Sequence, residues 1–122
     1  MSVDWTLVII VIAFICLDII SGLLKALYNK NLQSVYARQG LFHKIGEILA
    51  LTVGYFLEYA ESYLNIGFEI PIFKGIAIYI TIMECISVIE NLCEINPHLN
   101  KLFSKYLYKL KEKEGTDIEK RN

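Results

Sequence analysis

The chain has 122 residues, of which 55% are hydrophobic, and a mean hydropathy of +0.44. A soluble domain of this length has too little interior to hide that much apolar surface, so the composition excludes an ordinary globular core and points to a bilayer. With 12 basic and 13 acidic residues the net charge is −1, which excludes a strongly basic nucleic-acid binder.

The N-terminus carries Asp4 where a secretory signal would carry basic residues. The first apolar run is therefore expected to stay in the mature protein. It covers 5–28, from Trp5 to Tyr28, with the uncharged stretch ending at Asp18. About 20 helical residues cross a hydrocarbon core of ~30 Å, and aromatic residues favour its two interfaces. This segment meets both conditions.

The second span is predicted over 42–63. Its uncharged centre is short, Ile48 to Leu57, between Glu47 and Glu58. Glu47, Leu51, Gly54, Glu58 and Glu61 follow one another at three- and four-residue steps, so they share one helical face. Such a helix spans only if that stripe faces protein or water.

The third span is predicted over 70–95. Pro71 suits a first helical turn, and Asn96-Pro97 stops the helix. Glu84, Ser87, Asn91 and Glu94 fall on one face. Residues 98–113 then alternate Leu99, Leu102, Phe103, Tyr106, Leu107 and Leu110 with Lys101, Lys105 and Lys109, the pattern of a basic amphipathic helix on a membrane surface. Residues 114–122 are charged and are expected to be disordered. The predicted fold is all-α: a transmembrane helical domain over 1–97, the amphipathic helix, and the tail.

Loop charge predicts the orientation. Residues 25–44 hold four basic and no acidic residues, residues 58–74 three acids and one Lys, and residues 101–122 seven basic and four acidic residues. Basic loops stay in the cytoplasm, which places the N-terminus outside and the C-terminus inside.

An ionised group at the bilayer centre costs at least ~2.5 to 3.5 kcal/mol. Lys25, Glu61, Lys74 and Glu94 lie near span ends and can reach the interface. Asp18 and Glu84 are too deep for that. Asp18, Ser21, Gly22 and Lys25 share one face of the first span, as Glu84, Ser87 and Asn91 do on the third. These faces, with Glu47, Gly54 and Glu58, either pair structurally or line an aqueous path. Their number points to homo-oligomerisation, with polar faces at subunit contacts or around a lumen.

No nucleophile–base pair, phosphate loop or metal-ligand spacing is present. His43 and His98 are isolated, and Cys16, Cys85 and Cys93 sit in apolar runs as small fillers. Neither enzymatic activity nor a cofactor is expected.

Three stretches taken together resemble a known family. They are Leu17-Asp18-Ile19-Ile20-Ser21-Gly22 continuing to Lys25-Ala26 and Leu32-Gln33-Ser34, Gly40-Leu41-Phe42-His43-Lys44-Ile45-Gly46-Glu47, and Ile78 to Asn91 followed by Asn96-Pro97. Their order and spacing resemble the toxin-secretion/phage-lysis holins of Gram-positive, clostridial-type phages. The resemblance implies a protein that accumulates in the cytoplasmic membrane, oligomerises and permeabilises it, so that a cell-wall hydrolase or a toxin escapes without required direct contact. It carries over the pattern of Asp18, Ser21, Gly22, Lys25, Lys44, Glu47, Glu84, Ser87, Glu90 and Asn91, with no catalytic residue. The alternative is a small oligomeric ion channel or transporter subunit. A membrane-anchored scaffold is a third class.

Overall fold

The computed structural model describes residues 3–30, 34–67 and 69–119, and the side chains of these except 34–36, 107, 110, 111 and 113–119. It contains four helices: α1 (Trp5–Tyr28), α2 (Ser34–Leu64), α3 (Ile72–Ile95) and α4 (His98–Glu119). The first three are long and apolar enough to cross a membrane. The chain is therefore an all-α protein with three candidate spans and a C-terminal amphipathic helix.

Each boundary has a local cause. Asp4 caps α1, its carboxylate accepting from the Leu7 amide at 3.2 Å. After Asn29 the chain reverses through Lys30, whose φ of 53° is the single left-handed step that ends many helices. Asn65 and Gly67 also take positive φ, which turns the chain between α2 and α3. Asn96 ends α3, and its side chain accepts from the His98 amide at 3.2 Å as α4 begins.

Two boundaries lie beyond the predicted ones. α2 starts at Ser34, not at 42, because nothing in 34–41 breaks a helix except Gly40, and one internal glycine costs only ~1 kcal/mol. α4 continues through 114–119, where the charged composition suggested disorder, and Gly115 is tolerated there for the same reason. Residues 120–122 lie outside the described residues.

α3 is the central helix. It packs along α1 and also against α2 and the start of α4. The two faces that meet between α1 and α3 have matching sequence patterns. On α1, Leu7, Val11 and Ile15 are followed by Asp18, Ser21, Gly22 and Lys25. On α3, Phe73, Ala77 and Ile80 are followed by Glu84, Val88 and Asn91. Because α2 carries the chain back, α1 and α3 run parallel, so apolar meets apolar at one end and polar meets polar at the other. Val11, Ile15, Ala77 and Ile80 form the buried cluster, with Leu51 of α2 and Ile76 against it. The outward surface is large and apolar, including Ile9, Ile20, Phe42, Leu49, Phe56 and Tyr79. A surface of that kind is stable in acyl chains and not in water.

Candidate functional site

The polar halves of the helix faces converge on one cluster. Lys44 of α2 bridges two carboxylates, Asp18 of α1 and Glu84 of α3, by hydrogen-bonded ion pairs. The side chains are withdrawn from the surface, with relative exposures of 11% for Lys44, 13% for Asp18 and 3% for Glu84. Asp18 and Glu84 each lie near the middle of a 24-residue helix, so the pairs sit deep in the bilayer. A lone charge there is costly; a paired and hydrogen-bonded one is much less so.

Asn91 extends the cluster. Its Nδ2 donates to Asp18 Oδ1 and to Ser21 Oγ, each at 3.1 Å. Ser21 in turn donates to the Asp18 carbonyl, one turn back on α1. Both side chains are buried, and these bonds run between α1 and α3. Further along, Lys25 and Glu94 pair at 3.3 Å where the two helices approach the interface.

Glu47 sits one turn from Lys44. Its Oε1 pairs with His43 Nδ1 on the same helix at 2.9 Å, and its carboxylate also lies beside Glu84. Glu47 Oε2 is buried and has no hydrogen-bond partner among the described residues. Glu47 thus adds a third carboxylate beside the Lys44–Glu84 pair.

The rest of the α2 stripe has a different task. Gly54 is the only fully buried residue of α2 among those described. A Cβ there would lie 2.8 Å from Ile76 Cδ1 and 3.5 Å from the Phe73 Cα, so glycine lets α2 and α3 approach closely. Glu58 Oε1 accepts from the Phe73 amide at 3.1 Å, and Glu61 Oε2 from the Ile70 amide at 3.2 Å. Glu58 thereby satisfies an amide in the first turn of α3, where Pro71 offers no capping side chain, and Glu61 one in the segment just before it. Gly22 plays no comparable steric part, since a Cβ there would meet Asn91 Nδ2 at an ordinary 3.8 Å.

Of the polar residues singled out in the sequence, Asp18, Ser21, Glu84 and Asn91 are joined directly. Lys25 pairs farther along the same α1–α3 seam, and Ser87 is half-buried beside the cluster. Glu47 reaches it from α2, whereas Gly54 and Glu58 serve the α2–α3 contact. Lys101, Lys105 and Lys109 are exposed on α4, away from the cluster. Lys44, which the sequence reading counted as a loop charge and otherwise named only in the pattern carried by the family resemblance, is the residue that joins them. The signal was present: Lys44 continues the Glu47, Leu51, Gly54, Glu58 and Glu61 spacing by one further turn. Among the described residues no group of His, Cys, Asp and Glu side chains is arranged to hold a metal ion. The three cysteines are free thiols.

A cleft of about 620 Å³ opens between α1 and α2 beside the cluster. Asp18, Lys25, Asn29 and Lys44 are among the residues that line it.

Three apolar spans tied by a deep ion cluster define a polytopic helical membrane protein with charged groups held inside its spanning region. The family model described as the Bacteriophage holin family matches residues 2–112. The chain belongs to that family, whose function is of the membrane-permeabilising type and which is not a family of enzymes. No curated protein and no solved structure matches the chain.

Proposed function

We propose that this chain is a holin that oligomerises in the bacterial cytoplasmic membrane and opens it to a cell-wall hydrolase or a toxin. The observation that carries this reading is the charged cluster within an otherwise lipid-facing three-helix unit. A passive anchor has no use for four ionisable groups at that depth. One unit is also too small to enclose a wide passage, since each helix is ~10 Å across and only three helices among the described residues are long and apolar enough to span. Several copies are needed, and the released protein requires no direct contact with the chain.

The proposed orientation puts the N-terminus outside and the C-terminus in the cytoplasm. Lys30, Arg38 and the lysines of α4 support it, because Lys25 and Lys44 are engaged in ion pairs. In the same arrangement Lys101, Lys105 and Lys109 lie next to the inner headgroups, where anionic lipid attracts them.

Induced expression in a bacterium is expected to arrest growth and collapse the membrane potential after a delay. Vesicles loaded with dyes of graded size are expected to lose the large dyes as well as the small. Release of ions alone identifies a selective channel instead, and normal growth at high membrane levels rejects the proposal.

A further inference from the structure

α2 is attached to the other spans unevenly. At its loop end it has several fastenings: Gly54 against Phe73 and Ile76, an edge contact between the Tyr55 and Phe73 rings at 6.2 Å, and the Glu58 and Glu61 carboxylates on backbone amides. Toward its start, among the described residues, Lys44 makes the only ion pairs that join α2 to another helix. Lys44 lies ten residues before Gly54, about 15 Å along the helix axis. The cleft separates α1 from α2 at that same end.

We propose that Lys44 is a latch: its bridge to Asp18 and Glu84 holds the first half of α2 against α1 and α3, and α2 swings about its loop end when the bridge parts. This deepens the holin proposal and rests on it in one respect, that the unlatched form is the one that assembles. The latched form keeps Asp18, Lys44 and Glu84 turned toward one another, so a dispersed copy sits harmlessly in lipid. Unlatching presents Asp18, Lys44 and Glu84 to a neighbouring copy or to water entering by the cleft.

The latch is weak by construction. Glu47 adds a third carboxylate beside Glu84, and Lys44 cannot neutralise all of them. Glu47 Oε2 is buried there without a donor among the described residues, and two carboxylates side by side repel one another when both are charged. Glu47 therefore opposes closure while Lys44 enforces it, and the two residues give substitutions of opposite sign.

The test uses the full chain with Cys16, Cys85 and Cys93 replaced by Ser. Spin labels are placed at Leu24→Cys on α1 and Phe42→Cys on α2, both exposed positions flanking the latched end. In vesicles too dilute in protein to leak, the parent is expected to give one narrow distance distribution. Lys44→Met should broaden and lengthen it, and Glu47→Gln should leave it as narrow or narrower. In dye-loaded vesicles Lys44→Met should lower the protein-to-lipid threshold for release by about threefold or more, since the apparent threshold follows the fraction of competent chains. Glu47→Gln should raise it. A Lys44→Met distribution matching the parent overturns the latch, and so does a higher threshold for Lys44→Met, which would make Lys44 a lining residue of the open passage. Absence of release from every variant, parent included, refutes the holin proposal instead, and the distances then decide the latch alone.

Discussion

Asn91 on α3 donates from Nδ2 to Ser21 Oγ on α1 at 3.1 Å, and both residues are buried. The same amide group reaches Asp18 Oδ1, so one side chain satisfies a hydroxyl and a carboxylate across the helix seam. In a bilayer no water replaces such a partner, and the alternative to the bond is an unsatisfied group in hydrocarbon.

Asn91→Leu is therefore expected to destabilise the α1–α3 pair by about 1 to 3 kcal/mol, the cost of leaving buried acceptors unpartnered. Asn91→Asp should do worse, because it sets a second carboxylate against Asp18. Unfolding in detergent or lipid, followed by helicity or by a steric trap on α1, gives the measurement. Equal stability of the Asn91→Leu variant and the parent would show that the amide is idle.

Gly54→Leu is expected to push α2 away from α3, since even a Cβ at that position lies 2.8 Å from Ile76 Cδ1. Overpacking of this kind costs about 1 to 3 kcal/mol. Gly54→Ala alone should be mild, because the nearest atom is the free end of a side chain. Combining it with Ile76→Val, which removes that methyl, should restore parental stability. Thermal melting of the four proteins checks the order, and a Gly54→Leu protein as stable as the parent would contradict the close approach.

The topology has a direct chemical test. Ile66→Cys, in the turn between α2 and α3, is expected to react with a membrane-impermeant maleimide added to intact cells. Ser104→Cys, exposed on α4, should react only after the membrane is opened. The experiment is done in a background without the native cysteines and before any lysis. The reverse pattern would invert the proposed orientation.

Composition and periodicity are enough to define the class. Hydropathy placed the three spans, since burying apolar helices in lipid depends on composition and length more than on partners. Helical periodicity placed Asp18, Ser21, Lys25, Glu84 and Asn91 on their faces, because side-chain direction follows from 3.6 residues per turn alone. The end of α3 before Asn96-Pro97 was legible for the same local reason.

Which faces meet depends on how the helices pack. Periodicity says that Asp18 and Glu84 each need company, but not that Lys44, distant from both in sequence, supplies it for the two together. It groups Glu47, Gly54 and Glu58 on one stripe without telling a buried carboxylate from a steric gap or from an amide acceptor. Those distinctions depend on the crossing of α2 over α3 and on the parallel pairing of α1 with α3. The deep charges that made the spans look unusual in the sequence are, in the folded chain, partners of one another, because in hydrocarbon an ion finds its counter-ion within the protein or does not stay charged.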